Sequence, residues 1–340
     1  MNRLYPLKFK PIIKDKIWGG TRLTNVLKKK CKTDKAGESW EISGYPGDIS
    51  KVSNGFLAGN TLEELIEVYM GDLVGDAVFE KFGTLFPLLI KFIDANDALS
   101  IQVHPGDELA HKQFASYGKT EMWYVISADE NAEIIVGFNQ PVTRQIYTQH
   151  LDNKTLLSIL NVEKAYAGDV FFLPAGRIHA IKEGILLAEI QQTSDATLRI
   201  YDYDRVDDKG KPRLLHTEQA LEAIDFNPVS AFKTTYEKMP NQSNLLVECP
   251  YFTTGFIPLQ QDIERDYAFT DSFVIYMCLE GQFTIQYYNT EKEAVKTGET
   301  VLLPAEIKKV RLVPGPSSKI LEIYIKGEPR NTDEIIDLLI

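Results

Sequence analysis

Ser100-Ile101-Gln102-Val103-His104-Pro105 and Gly168-Asp169-Val170-Phe171-Phe172-Leu173-Pro174-Ala175-Gly176-Arg177-Ile178-His179 decide the fold class of this chain. Each is an apolar, strand-like stretch ending on a histidine held by proline or glycine turn chemistry. Between them, Gly118-Lys119-Thr120-Glu121-Met122-Trp123-Tyr124 sets one carboxylate in a further strand-like run. Ser100, Gln102 and His104 stand two residues apart, so on a strand their side chains share one face. If that face looks inward, two imidazoles, the Glu121 carboxylate and the Gln102 amide oxygen make a four-ligand site for a borderline metal such as zinc. Mixed nitrogen and oxygen ligands with no cysteine nearby suit reaction chemistry better than a sealed structural site.

Working outward, period-two runs recur at 87–93, 98–104, 122–126, 133–138, 169–173, 185–191, 196–201, 272–277, 282–288 and 300–303. Turn residues separate them at short intervals, which predicts an all-β sandwich or barrel and not alternating βα units. Helical pattern is confined to a few places. Thr61-Leu62-Glu63-Glu64 reads as a capping box, followed by an apolar stripe of Leu62, Leu65, Ile66 and Tyr69. Shorter helices are expected at 107–114, 152–160 and 217–224, and a terminal helix or strand at 332–340.

An internal echo organises the rest. Gly168-Asp169-Val170-Phe171-Phe172-Leu173-Pro174-Ala175 matches Gly298-Glu299-Thr300-Val301-Leu302-Leu303-Pro304-Ala305 in register, which argues for two copies of one β unit. In that register His179 falls opposite Lys309, whose ammonium cannot ligate a metal. The first copy is therefore expected to bind metal and the second to be degenerate. A polar stretch at 228–244 suggests the boundary, giving domains 1–235 and 236–340.

The chain has 340 residues, 44% hydrophobic and 25% charged, as expected of a globular protein with a substantial core. A net charge of −11 excludes a broad basic surface for nucleic acid or anionic membrane, so an anionic substrate must be captured by a few local Lys and Arg residues. Cys31, Cys249 and Cys278 are scattered, with no CxxC spacing, and fit reduced thiols. The opening residues hold no apolar core of a signal peptide, and no run reaches the ~18 apolar residues of a spanning helix. A cytoplasmic location is expected.

The run G-D-x-x-F-L-P-A-G-x-x-H resembles the second motif of cupins. SIQVHP, GKTEMWY, FLPAGRIHAI and SDATLR, in that order, resemble the type I mannose-6-phosphate isomerases in their short bacterial form. Trp18-Gly19-Gly20, Glu38-Ser39-Trp40-Glu41 and Pro87-Leu88-Leu89-Ile90-Lys91-Phe92-Ile93-Asp94-Ala95 support the match, which is strong over residues 5–205 and weak beyond. The resemblance implies two cupin-like (jelly-roll) β-barrels with a small helical insertion near 61–82. It implies a zinc-dependent aldose–ketose isomerase that interconverts mannose 6-phosphate and fructose 6-phosphate through a cis-enediol. Compared with longer members, the chain lacks a sizeable helical domain beyond the 61–82 region.

Carried over residue by residue, the family's ligands become Gln102, His104, Glu121 and His179, holding one Zn2+ per chain. Lys119 projects to the same side as Glu121, and the matching family lysine lies in the active site. Glu189 alternates with Ala188 and Ile190, which turns an acid inward as a general base requires. The pattern E-x-x-x-x-S-D-x-x-x-R maps onto Glu189, Ser194, Asp195 and Arg199. Glu189 or Lys119 would move the proton and Arg199 would steady the anionic intermediate, while Ser100, Lys119, Asp195 and Trp18 would contact the sugar phosphate. His111, His150 and His216 are expected at the solvated surface. Two rivals come from other classes. A metal-dependent cupin oxygenase would prefer redox iron and more histidines. A non-catalytic sugar-binding cupin would not need Lys119, Glu189 and Arg199 beside a full ligand set. The expected partner is a phosphorylated hexose, with no nucleic acid and no membrane, for a monomer or homodimer.

Overall fold

A computed structural model describes residues 3–206 and 210–326 of the chain. The expected terminal element at 332–340 lies outside them. Strands dominate, and the chain divides into two compact units. One is built from residues 11–45 and 88–235, the other from residues 3–10, 46–87 and 236–326. The division is not a single cut between 235 and 236, because the helical segment 61–82 belongs to the unit that contains the C-terminal repeat.

The first unit is two antiparallel sheets. In the larger, the strands run in the order Ile12–Gly20, Ala36–Ser43, Leu88–Ala95, Ile185–Gln192, Glu121–Ala128, Val170–Leu173. In the smaller they run Leu198–Tyr201, Ile101–Val103, His179–Ile181, Glu133–Phe138, Leu160–Lys164. Strand alternation sorts the side chains. Ile101, Val103, Ile135, Ala180 and Leu198 turn outward into an apolar cluster with Tyr147 and Ala220, carried by the helices Arg144–Asp152 and Thr217–Ala223. Gln102 and His179, in between, turn the other way. Trp18, Trp123, Ile134, Val136, Phe171 and Leu187, drawn from both sheets, form the apolar core. Burial of each such side chain is worth about 1.5–3 kcal/mol.

The second unit centres on two long paired strands, Val274–Tyr287 and Lys309–Tyr324. Their ladder shifts between Cys278 and Glu280 and again between Gly281 and Phe283, and Gly281 takes φ +80, so both strands bend around one core of Tyr276, Phe283, Val301 and Leu312. The predicted capping box is present: Thr61 Oγ1 accepts from Glu64 N at 3.2 Å and Thr61 N donates to Glu64 Oε2 at 2.8 Å. The helix Leu62–Val74 buries Leu62, Leu65 and Ile66, breaks at Met70, and is followed by a second helix, Asp76–Phe82.

Two expectations need correction. Among the described residues the sheets have free edges and none closes on itself, so the expected barrels are open sheets. Of the helix expected at 152–160 only a 3-10 turn at Leu156–Ile159 forms, and the α-helix lies earlier: Thr143 Oγ1 accepts from Ile146 N and starts a helix at Arg144 that ends at Asp152. No helix among the described residues is long and apolar enough to cross a membrane.

Candidate metal centre and active site

Strand register assembles the site. Gln102 stands directly opposite His179 on one neighbouring strand and Arg199 on the other, so the three side chains form a row across the smaller sheet. His104 follows two residues after Gln102, just beyond the strand end. Glu121 opens its strand in the larger sheet, opposite Leu173 and Gln191. Sheet and loop thus bring together four residues spread over nearly eighty positions of sequence.

The donor atoms of His104, Glu121 and His179 lie within 4.8 Å of one another, and all three residues are buried. Glu121 Oε1 is 3.4 Å from His179 Nε2, and Glu121 Oε2 is 3.5 Å from His104 Nε2. Each imidazole is oriented from behind. His104 Nδ1–H donates to the Ala196 carbonyl at 2.9 Å, and His179 Nδ1–H donates to the Arg177 carbonyl at 2.8 Å. That tautomer leaves both Nε2 lone pairs directed into the site. Burial lowers the pKa of both imidazoles, for His104 to about 4 with Lys119 adding to the effect, so both are neutral near pH 7. Burial works against the Glu121 carboxylate, but the Lys119 ammonium and the histidines outweigh it and hold its pKa well below the usual range.

His104 Nε2 and both carboxylate oxygens of Glu121 are buried and lack hydrogen-bond partners. Lys119 Nζ approaches Glu121 Oε2 at 3.2 Å without hydrogen-bond geometry. Leaving buried polar atoms unsatisfied costs about 1–3 kcal/mol each, which a bound cation would recover. The Gln102 amide stands 3.3 Å from His179 Nε2 through its nitrogen. Amide nitrogen and oxygen exchange by a half turn, so its oxygen can serve as a fourth donor. This donor set fits a divalent metal.

Around this centre, Ser100 is buried and its Oγ accepts from Arg199 Nε at 3.3 Å, while Arg199 NH1 holds the Leu214 carbonyl at 2.9 Å. Lys119 is buried, whereas Asp195 is exposed. Glu189 departs from the expectation of an available inward base. Its Oε1 pairs with Lys91 Nζ at 2.9 Å and its Oε2 accepts from Trp123 Nε1 at 2.9 Å, so both oxygens are engaged. Trp18 is buried in the core with Trp123, which gives it a packing role. His111 is exposed, and the part-exposed His150 holds Thr155 through Nδ1. His216 corrects its surface assignment: its Nδ1 accepts the backbone N–H of Arg199 at 3.1 Å.

Sequence reasoning missed Lys91. It sits in an apolar strand and is 3% exposed. Burial opposes its charge, but Glu189, Glu38 and Asp195 outweigh that and raise its pKa above the ordinary lysine value. No local sequence signal marks it: its place directly across from Glu189 is revealed only by the ladder.

The comparisons bear on this geometry. The model for the phosphomannose isomerase type I catalytic domain matches residues 6–138. A mannose-6-phosphate isomerase of Streptococcus mutans is 36% identical over 310 residues, 89% of this chain and 93% of the relative. The chain belongs to the type I mannose-6-phosphate isomerase family. A second family member, from Bacillus subtilis, is 39% identical over 256 residues, covering 74% of this chain and 78% of its own. The crystal structure of a mannose 6-phosphate isomerase from Bacillus subtilis superposes with a TM-score of 0.84 at 32% identity, covering 94% of this chain and 99% of that one. A zinc-bound mannose 6-phosphate isomerase shares the fold at a TM-score of 0.79 and 19% identity, covering 95% of this chain and 100% of that one. The family model ends before His179, Glu189 and Arg199, so for these the family relation rests on the longer matches.

Proposed function

We infer that this isomerase interconverts mannose 6-phosphate and fructose 6-phosphate, with His104, Glu121, His179 and Gln102 holding one zinc ion. The observation that carries the reading is the cluster of buried, unpartnered donor atoms on His104 and Glu121 beside Lys119, in a chain whose relatives bear this activity in their names. When bound, zinc supplies Lewis-acid polarisation of the oxygens on C1 and C2 of the open-chain sugar. Two neutral imidazoles and one carboxylate leave a divalent ion with net positive charge, which suits an anionic enediolate.

The chain's own residues do the rest. Since the Glu189 oxygens are engaged by Lys91 and Trp123, Lys119 Nζ, as the free amine, takes the proton from C2 and, as the ammonium so formed, returns it to C1. Arg199 steadies the developing negative charge with a guanidinium already fixed by Ser100 and the Leu214 carbonyl. Ser100, inside the site beside Arg199, and Asp195, at its exposed rim, contact the sugar phosphate. The two short backbone bonds to His104 and His179 keep the ligand face from collapsing when substrate arrives.

The test follows a label. Mannose 6-phosphate deuterated at C2 should lose the label to solvent or pass it to C1 in the presence of the zinc-loaded enzyme. Binding of the sugar phosphate with the C2 label untouched at high protein concentration would replace the isomerase reading with that of a sugar-binding cupin.

A further inference from the structure

Strand register relates the two β units strand for strand, with the inward face shifted by one residue where Lys309 stands. In the first unit His179 stands opposite Gln102, Glu121 opposite Leu173, and Trp123 opposite Glu189. In the second, Lys309 stands opposite Asp266, Val274 opposite Leu303, and Tyr276 opposite Glu322. Counting two residues on from Gln102 and from Asp266 pairs His104 with Ala268. The faces differ by one residue, however: Val310 and Leu312 enter the core of the second unit, so Lys309 and Asp266 pair at 3.2 Å on its exposed outer face. Even the buried acid behind the site is repeated. Glu189 is held by Lys91 and Trp123, and Glu322 by Arg265 at 2.9 Å and by the Tyr267 hydroxyl.

Beside this pair the second unit has a cleft of about 600 Å³. Five cationic side chains line it: Arg3, Arg265, Lys308, Lys309 and Arg311, against the carboxylates of Glu264 and Asp266. On a chain of net charge −11 that concentration of positive charge is local and specific. The cations differ in how they are engaged. Arg265 is committed to the buried Glu322. Lys309–Asp266 and Arg311–Asp262 are exposed pairs, which are weak and easily exchanged for another anion. Lys308 Nζ holds the Thr270 carbonyl at 3.0 Å, and the Arg3 guanidinium lies 5.1 Å from the centre of the Tyr288 ring. Neither of these two contacts neutralises a cation. Tyr288 itself has φ +45, at a hairpin position where Asn or Gly would cost less, and it lines the cleft.

We propose that the second unit's cleft is a binding site for a phosphate monoester, with Lys308, Lys309 and Arg311 on the phosphate and Tyr288 beside the organic group. The charge that a metal supplies in the first unit comes here from fixed ammonium and guanidinium groups, so the site binds without catalysing. The inference does not depend on the reaction assigned to the first unit.

Equilibrium dialysis of the zinc-loaded enzyme with labelled fructose 6-phosphate is the measurement, beside a Lys308→Gln/Arg311→Gln variant. Wild type should bind two molecules per chain and the variant one, with the second site weakened about tenfold or more and isomerase turnover unchanged. Inorganic phosphate should compete at the second site if phosphate is the recognised group; failure to compete there would overturn that assignment. One molecule per chain in both proteins, or a second site that survives in the variant, would overturn the proposal. Loss of C2-label exchange with the second site intact would strike the isomerase reading alone. The thermal transition of the variant, read in parallel, shows whether the unit still folds; if it does not, Lys309→Gln alone replaces it.

Discussion

Lys91 and Glu189 face each other on adjacent antiparallel strands, fully inside the first unit, with the ammonium 2.9 Å from the carboxylate. The pair is joined on one side by Gln191, whose Oε1 accepts from Lys91 at 2.6 Å, and on the other by Trp123. Trp123 in turn meets the His179 ring edge-on at 5.2 Å. A charge pair in the core is therefore mechanically continuous with His179, a proposed metal ligand. Its value lies less in net stability, which buried pairs seldom provide, than in fixing one arrangement of the groups behind the site.

Glu189→Gln should reveal which role dominates. It keeps the shape and an acceptor for Trp123 but leaves the Lys91 charge with Glu38 as its remaining close buried acid. The expected cost is about 3 kcal/mol in unfolding free energy together with reduced turnover. Chemical denaturation and steady-state kinetics on the same preparation decide it. Unchanged stability with turnover down by ~10²–10⁴ would make Glu189 the catalytic base after all.

Metal content should track the two histidines. Wild type should carry one zinc per chain and lose activity in EDTA, while His104→Ala and His179→Ala should each lose both zinc and turnover. Asp169→Asn, at a turn remote from the donor set, should retain them. Full zinc occupancy with near-normal turnover in either histidine variant would rule out the ligand assignment.

Lys119 and Arg199 should separate from the ligands by leaving zinc in place. Arg199→Ala is expected to lower kcat by ~10²–10³, the scale for one preorganised stabiliser of a developing anion. Lys119→Met should cost ~10²–10⁴ in kcat if its nitrogen carries the proton. A Lys119→Met enzyme that raised KM with kcat unchanged would reduce Lys119 to a substrate contact.

What the sequence made legible follows from locality. The strands bearing Gln102, Glu121 and Arg199 declare themselves by alternation and by flanking turns, and the capping box at Thr61 needs only four residues, whereas His179 opens a separate three-residue strand too short to show a pattern. Ala36–Ser43 is different. All eight of its residues are buried although Glu38, Ser39, Glu41 and Ser43 are polar, so no alternation marks it. Its polar groups are satisfied by Lys16, Lys29 and Trp40, in pairings that no local pattern announces. Lys91 carries no local mark of its role because its partner is 98 positions away. The membership of residues 46–87 in the second unit is likewise a matter of long-range packing. The echo at 168–175 and 298–305 was visible, yet only the ladders extend it to Asp266, Val274 and Glu322.

Glu38 offers a test of the buried charge network through pH. Burial opposes its ionisation, but Lys91 and Lys16, with a 2.6 Å bond from Trp40 Nε1, bring its pKa from 4.5 down to about 2. The folded value lies below the unfolded one, so the stabilisation is fully present above pH 4.5 and is lost as pH falls through about 2. On the linkage relation this is worth about 3 kcal/mol near neutrality. Glu38→Gln should lower stability by an amount of that order at pH 7 and by much less near pH 2. Both proteins should be stripped of metal first, so that acid release of zinc does not enter the comparison. Unfolding curves at a series of pH values measure the difference directly. A gap between wild type and variant that stayed constant from pH 7 to pH 2 would mean that Glu38 contributes packing and not charge.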